Sequence, residues 1–323
     1  MAGERLGPTS HAPRPTPCGL RWPGRVTSSL HPVAREIALL SNPTAGSGHN
    51  EQAVDAAAAR LREAGLGVRR VQGRDAAEAL ELARAVVADG VEALVVCGGD
   101  GMVNLGAQVL AGSDIPLGIV PTGTGNDTCR QLGIPRRDPR AAADVVVAGR
   151  RRVIDLARVG ARYYVTVLAA GFDAMVNERA NRMTRPQGQL RYTLALAQEL
   201  RSFRPIRYTL DLDGTVREVD AMLASVGNGE SIGGGIRLTH GADIGDGLLD
   251  VVVVRPVPKT ELVRIYPSLF RGGIVHHPQF ERHRVRRVTV AAAGVVAYAD
   301  GERFGALPLT VEVAPGALTV LAP

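Results

Sequence analysis

The feature that most constrains the fold is an alternation of apolar strands and helical patterns along the first half of the chain. The apolar runs are EIALLS, LGVRRVQ, VEALVVC and IPLGIVP. Helical patterns follow them over 52–63, 76–88, 102–110 and 128–132,. Alternation at these lengths predicts βαβ units, and hence a doubly wound parallel α/β domain whose sheet is covered on both faces.

Three glycine-rich segments fall where these strands end: NPTAGSG, GGDG and PTGTGND. The carboxyl ends of parallel strands lie at one edge of the sheet, and ligands bind there in folds of this kind. We therefore predict a ligand site at that edge.

The second half of the chain has a different pattern. Short strand-like runs separated by turn residues predict an antiparallel β domain, with its one good helix over 189–201 and a shorter helix near 260–270,. The stretch from Asp211 to Gly214 is a hairpin turn signal,. The predicted organisation is a disordered tail (1–33), an α/β nucleotide-binding domain (34–150) and a β domain (151–316), with a last strand in 317–323 that could return to the first domain.

Charge, aromatic content, cysteines and apolar runs limit the kinds of partner and the class of protein that are expected. The net charge of +6 and the pI near 9.7 favour an anionic partner,. Nucleic acid is not expected, because aromatic residues are scarce and no basic run follows a groove,. The three cysteines form neither a disulfide framework nor a zinc pattern, which is typical of a reducing cytoplasm,. No apolar run reaches the roughly 18 residues that span a bilayer.

Each glycine-rich segment has two interpretations. NPTAGSG is a capped strand-to-helix turn or a phosphate cradle, but it lacks the lysine of a Walker A loop,. In GGDG, Asp100 is either a helix N-cap or a carboxylate that approaches phosphates through Mg²⁺,. In PTGTGND, Thr124 and Asn126 offer polar contacts, and we expect Asp127 to cap the short helix.

Acidic turns in the second half are also open to two interpretations. Asp243 and Asp246, in GADIGDG, form a polar loop or bind a metal ion together with a main-chain carbonyl,. Asp300 and Glu302, in YADGE, are solvated turn residues or place a carboxylate in a cleft,. The histidines, including His283, show no ligand spacing.

Taken together and in this order, the segments resemble the catalytic family of the diacylglycerol kinases, which includes bacterial diacylglycerol kinases and the related sphingosine and ceramide kinases. The resemblance runs from about residue 36 to residue 321 and rests on NPTAGSG, GGDG, PLGIVPTGTGND, NGESIGGG, DIGDGLLDV and DGE. It implies an α/β domain followed by a β-sandwich domain, and ATP-dependent transfer of a phosphoryl group to a lipid hydroxyl in the cleft between them.

The resemblance also implies roles for particular residues. Glu302 matches the general base, and Asp100 is a second catalytic position. The turn that would bind Mg²⁺ comprises Asp243, Asp246 and, through its main chain, Leu248. The positions that would bind ATP are Asn42, Pro43, Thr44, Ala45, Gly46, Gly98, Gly99, Asp100, Gly101, Met102, Val103, Asn104 and Thr124. A further nucleotide contact is expected somewhere in 70–73.

The chain departs from the family pattern in a few places. Met102 and Leu105 stand where GGDGTxNE has a threonine and a glutamate, Thr128 replaces a common aromatic residue, and His240 replaces a frequent proline. The leading hypothesis is a lipid kinase, cytoplasmic and peripheral at the inner membrane surface, that acts on diacylglycerol. A kinase for a soluble acceptor such as NAD and a non-catalytic nucleotide sensor are the alternatives, and a homodimer stays open. The acceptor pocket is expected to lie between the domains, near Phe172, Met175 and the helix over 189–201.

Overall fold

The computed structural model describes residues 36–41, 49–183, 185–186, 189–202, 204–258, 260–261, 264 and 268–323. The predicted tail and the NPTAGSG segment lie outside these residues, as do 262–263 and 265–267 within the helix predicted near 260–270.

The first lobe, residues 36–150, contains four strands that alternate with helices, as the sequence predicts. Its strands β1, β3 and β4 are almost fully buried and pair in parallel, in the order β2-β1-β3-β4. Its elements are β1 (Glu36–Ser41), α1 (His49–Glu63), β2 (Gly67–Gln72), α2 (Ala76–Ala88), β3 (Ala93–Gly98), α3 (Asp100–Leu110), β4 (Leu117–Pro121), α4 (Asp127–Leu132) and α5 (Pro139–Ala148).

Helix α5 is an element that the sequence analysis does not assign, although its start signal is present in the sequence. Asp138 is the N-cap, whose carboxylate accepts hydrogen bonds from the next amides, and Pro139 occupies the first turn,.

The second lobe, residues 151–323, is mainly antiparallel. Its elements are β5 (Arg151–Val159), β6 (Arg162–Tyr164), β7 (Val167–Ala169), α6 (Phe172–Arg182), α7 (Gln189–Ser202), β8 (Ile206–Leu212), β9 (Thr215–Ala221), β10 (Leu223–Gly227), β11 (Leu249–Val254), a 3-10 helix (Gly273–His276), β12 (Phe280–Val285), β13 (Arg287–Ala291), β14 (Val296–Ala299), β15 (Glu302–Ala306) and β16 (Leu309–Leu321). The expectation of one good helix in this half is wrong, because α6 precedes α7 and packs against it.

Two sheets form a sandwich in the second lobe. One has the order β12-β11-β10-β7-β14-β15, and the facing layer contains β16, β13, β8 and β9. Side chains from both layers share one buried core, including Leu168 and Val251 from the first sheet and Tyr208 and Val290 from the second. This confirms the fold class predicted from the sequence, an α/β domain followed by an antiparallel β-sandwich.

Strand β16 connects the two lobes through the main chain. Its end pairs in parallel with β4 at Val320 and Leu117, while its beginning pairs antiparallel with β13. It also pairs antiparallel with β5, from Glu312 to Leu321. The parallel sheet of the first lobe therefore continues into one layer of the sandwich.

The hairpin signal at residues 211–214 is confirmed. Strands β8 and β9 pair from Leu212 and Thr215 outward, and Asp213 and Gly214 adopt φ values of 49° and 92° in the turn. Positive φ at both central positions is the geometry that favours Asp-Gly in two-residue hairpins.

Candidate active site

The loops after β3 and β4 pack backbone against backbone at the carboxyl edge of the sheet. Thr122 N donates to Gly98 O at 2.9 Å, and a Cβ added to Gly123 would lie 2.5 Å from Gly99 Cα. A side chain at residue 123 would thus force the loops apart, which is the physical reason for glycine there. Thr124 is exposed in the second of these loops.

Asp100 is the first residue of α3, and its carboxylate faces the neighbouring loop. Gly99 is the N-cap and Thr128 N donates to Asp100 Oδ1 at 3.3 Å, so the N-cap interpretation of Asp100 is wrong. Burial, followed by the nearby carboxylates of Asp127 and Asp300, raises the pKa of Asp100 to about 7. Negative charge is therefore concentrated beside the amino end of a helix, where anions are otherwise favoured.

The prediction that Asp127 caps α4 is wrong. Instead, its carboxylate reaches the second lobe and accepts hydrogen bonds from Ser231 Oγ at 2.9 Å and from Gly234 N at 2.7 Å. The N-cap position belongs to Asn126, which has a φ of 51°. Asp127 is 3% exposed, and its hydrogen bonds with Ser231 and Gly234 join the two lobes; this contact is called the clasp below.

Other side chains of α4 strengthen this clasp. Gln131 accepts a hydrogen bond from Glu230 N at 2.8 Å and donates to Ala242 O at 3.1 Å. Arg130 Nη2 donates to Gly234 O at 3.1 Å. Short helix α4 therefore fixes the glycine-rich edge of the first lobe against the loop that follows β10.

The departures at Met102 and Leu105 are buried in the core of the first lobe, where they are 6% and 7% exposed. The Met102 side chain folds back over Gly98, since a Cβ on that glycine would lie 2.3 Å from Met102 Cγ. Val103 is also buried at 2%. These side chains pack in the core and stabilise α3. Any contact from residues 102, 103 or 105 to a nucleotide would therefore have to come from the main chain.

Asn104 is likewise buried, and it contacts the second lobe. Its amide nitrogen donates to Asp300 Oδ2 at 3.0 Å and to Tyr163 O at 3.0 Å. In this structure, both of its hydrogen-bond donors are directed to protein acceptors.

Glu302 begins β15 and lies close to the start of α3. A Cβ added to Gly101 would be 3.4 Å from Glu302 Oε1. The turn before it has positive φ at Asp300 (50°) and Gly301 (85°), so the chain reverses between β14 and β15 and leaves Glu302 exposed. The sequence places these segments about 200 residues apart, and only the fold brings them together.

The turn from Asp243 to Leu248 has two exposed carboxylates and is held from below by a buried one. Gly245 N donates to Asp243 Oδ1 at 3.1 Å and Leu248 N to Asp246 Oδ1 at 3.0 Å. Asp155 in β5, 4% exposed, accepts from Gly247 N and supports the turn. Asp155 is not among the predicted site residues, although an acidic residue within the apolar run RVIDLARV indicates burial with hydrogen-bond partners,.

The donor atoms of this turn are compatible with Mg²⁺ in kind, because carboxylate and carbonyl oxygens are the ligands that this ion prefers. Asp246 also pairs with Arg284, which a metal ion would have to displace. Within the residues that the structure describes, no cluster of three or more acidic, histidine or cysteine side chains is arranged to hold a metal ion. The turn could therefore hold an ion only with help from main-chain oxygens or from phosphates.

The remaining predicted positions are less informative. Asn42, Pro43, Thr44, Ala45 and Gly46 lie outside the described residues. In the range 70–73, Arg70 pairs with Asp55 at 2.7 Å, and Gly73 packs on Ala79.

A cavity of about 350 Å³ lies beside α6 in the second lobe. It is lined mainly by small and apolar residues, among them Met175, Ile206 and Val296, with Glu178 and Arg204 as charged members. Phe172, by contrast, is buried in a cluster that also contains Ala195 of α7.

Comparison with known proteins assigns both lobes. Residues 36–159 match the family model of the diacylglycerol kinase catalytic domain, and residues 166–322 match that of the YegS C-terminal NAD kinase beta sandwich-like domain. A diacylglycerol kinase of Mycobacterium tuberculosis is 43% identical over 294 residues, which cover 89% of this chain and 95% of that one. A diacylglycerol kinase of Bacillus subtilis is 28% identical over 84% of this chain and 90% of its own length.

Two further relatives differ in what they add. A protein of Pseudomonas fluorescens named "Probable lipid kinase YegS-like" is 31% identical over 77% of this chain and 83% of that protein. The crystal structure of a diacylglycerol kinase from Bacillus anthracis has a TM-score of 0.69 at 21% identity, over 90% of this chain and 97% of that one. The first supports the family, and the second supports the fold alone.

Proposed function

Because the chain belongs to the diacylglycerol kinase family of kinases, we propose that it transfers the γ-phosphoryl group of ATP, with Mg²⁺, to a lipid hydroxyl. Diacylglycerol is the proposed acceptor, and phosphatidic acid the product. Membership of the family supports kinase activity. The identities of the phosphoryl donor, the metal ion and the acceptor are part of the proposal.

The observation that carries the proposal is the position of Glu302 beside Gly101. The glycine-rich loops and the amino end of α3 offer backbone N–H groups to phosphates. A carboxylate a few ångströms from Gly101 is therefore near the end of a phosphate chain bound there. As the oxygen of the lipid hydroxyl attacks the γ-phosphorus, Glu302 accepts the proton of that hydroxyl. The bond between the γ-phosphorus and ADP breaks, and ADP leaves. General base catalysis of this kind contributes roughly 10²–10⁴-fold to the rate.

Magnesium offsets the charge of the site. Asp243, Asp246 and the main chain of Leu248 would hold one Mg²⁺ ion, and Asp100 would contribute its carboxylate to another beside the phosphates. The ion supplies charge neutralisation and orientation of the phosphates. Support comes from the carboxylates of Asp127 and Asp300 near Asp100, whose combined negative charge a cation beside Asp100 would offset.

The acceptor brings the protein to a membrane surface in this proposal. Among the described residues, no helix combines the length and the apolar character needed to cross a bilayer. The net charge of +6 favours an anionic surface, by about 1 kcal/mol for each suitably placed basic residue,. Leu190 and Leu194 are exposed on α7 and offer apolar contact area to a membrane surface. We propose that the enzyme acts peripherally at the inner membrane surface.

The test is transfer of label from ATP to lipid. Purified protein is incubated with labelled ATP, Mg²⁺ and mixed micelles that contain diacylglycerol, and the product is identified by mass. Labelled phosphatidic acid is expected, and Glu302→Gln should lower kcat by roughly 10²-fold or more. The control is Glu218→Gln, an exposed glutamate on β9.

Other results would contradict the proposal. Label in an aqueous acceptor such as NAD, with none in lipid, would indicate a kinase for a soluble metabolite. Binding of ATP with no turnover, unchanged by Glu302→Gln, would indicate a nucleotide sensor.

A further inference from the structure

Asp300 is a buried carboxylate with four hydrogen-bond donors, and the reaction proposed above does not use it. It is 4% exposed. Its oxygens accept hydrogen bonds from Val165 N (2.7 Å), Thr166 N (3.0 Å), Thr166 Oγ1 (2.6 Å) and Asn104 Nδ2 (3.0 Å). A buried charge is costly unless it is fully paired, so this arrangement stabilises one specific geometry.

The donors come from two other segments of the chain. Val165 and Thr166 form the break between β6 and β7. Their N–H groups turn toward Asp300 instead of extending the strand. The carboxylate therefore determines the shape of the main chain at this point.

Asn104 connects the same carboxylate to the helix that begins at the glycine-rich loop. It lies four residues after Asp100 and hence on the same face of α3. Gln108 follows on that face, donates to Tyr163 O at 2.7 Å, and accepts from Tyr163 N at 3.0 Å. One face of α3 is thus attached to β6 and to the turn that carries Glu302.

We propose that Asp300, held by Asn104 and Thr166, is a positioning residue that sets the place of Glu302 relative to the loop around Gly101. The proposal rests on the proposed function, since it assumes that Glu302 acts on the acceptor. Only Gly301 separates Asp300 from Glu302 along the chain, so a shift of this turn moves both. A misplacement of about 1 Å is enough to cost on the order of 10²-fold in rate.

Thr166 offers a matched pair of variants. Thr166→Val removes the hydroxyl and keeps the shape, whereas Thr166→Ser keeps the hydroxyl. We expect Thr166→Val to lower kcat by about 10- to 100-fold while KM for ATP changes by about 2-fold or less. Thr166→Ser should stay within about 2-fold of the wild-type kcat, which a loss of packing at residue 166 would not produce. Asn104→Leu, which removes the amide and keeps the volume, should follow Thr166→Val.

A double variant tests whether the effect acts through Glu302. On the Glu302→Gln background, Thr166→Val should cause no further loss of kcat, because the group that it positions is already absent. An additive loss, equal kcat values for Thr166→Val and Thr166→Ser, or a change confined to KM would each overturn the proposal.

Hydrogen exchange of the full-length protein tests the positioning without any substrate. Backbone amides of 296–306 should exchange faster in Thr166→Val than in Thr166→Ser, while those of α1 stay unchanged. Equal exchange in the two variants would overturn the positioning role. If the wild-type protein transfers no phosphate to lipid, the proposed function fails, and the exchange comparison still decides the role of Asp300.

Discussion

The charge on Asp100 should destabilise the folded protein above neutral pH, and Asp100→Asn should remove this cost. Burial and the carboxylates of Asp127 and Asp300 raise its pKa from 3.8 to about 7. At about 1.4 kcal/mol per pH unit, this shift corresponds to at most about 4 kcal/mol. Since the asparagine oxygen can still accept the hydrogen bond from Thr128 N, the substitution removes the charge with little change in shape.

The direction of the pH dependence follows from the raised pKa. Between about pH 4 and pH 7, the folded protein holds a proton on Asp100 that the unfolded chain has already released. Stability therefore falls as pH rises through this range, and this group adds no further change above it. Relative to the wild type, Asp100→Asn should show little difference at pH 4 and its full gain at pH 8.

Thermal unfolding from pH 4 to pH 8 in EDTA measures this effect without a bound cation. Several degrees of added melting temperature at pH 8 are expected, at about 2 °C or more for each kcal/mol. Asp220→Asn, which removes an exposed carboxylate on β9, is the control. The reasoning would be refuted if the difference in melting temperature between Asp100→Asn and the wild type did not grow with pH. It would also be refuted if Asp100→Asn melted below the wild type at pH 8.

Three further outcomes are expected. Met102→Thr should lower the melting temperature, because shortening a core side chain typically costs about 2–5 kcal/mol of stability. It should not lower KM for ATP, since the side chain of residue 102 is buried and packs on Gly98. A lower KM for ATP would contradict this prediction. Asp127→Ala leaves Ser231 Oγ and Gly234 N without their acceptor and should cost about 1–3 kcal/mol in urea unfolding, whereas unchanged stability would argue against the clasp,. Removal of divalent ions with EDTA should abolish phosphate transfer, and Mg²⁺ should restore it; activity that survives EDTA would rule out the proposed metal dependence.

Local patterns were sufficient to predict most of the elements. Strands β1, β3 and β4 are buried on both faces, so their continuous apolar runs are visible without knowledge of their neighbours,. The hairpin at Asp213 was predictable because its turn needs positive φ at two adjacent positions,. Helix α6 was not predicted, because its many polar residues obscure an apolar face that packs against α7.

The roles of the acidic residues depended on contacts that are remote in sequence. Asp127 is positioned like a helix cap, yet its partners are more than 100 residues away in the second lobe. Asp300 resembles a solvated turn residue, but it is buried beneath α3 and the break between β6 and β7. A carboxylate pairs with whichever donors the fold brings within about 3 Å, and local sequence does not contain that information.

The sequence by itself determined the alternation of strands and helices, the position of the glycine-rich loops at one edge of the sheet, and the family. These depend on periodicity, on backbone freedom and on short motifs, all of which act within a few residues. Only the tertiary structure decided that Met102 belongs to the core, that Asp127 joins the lobes, and that Glu302 faces Gly101. The physical reason is that burial and pairing are properties of the whole packed chain, in which residues 101 and 302 are neighbours although about 200 residues separate them in the sequence.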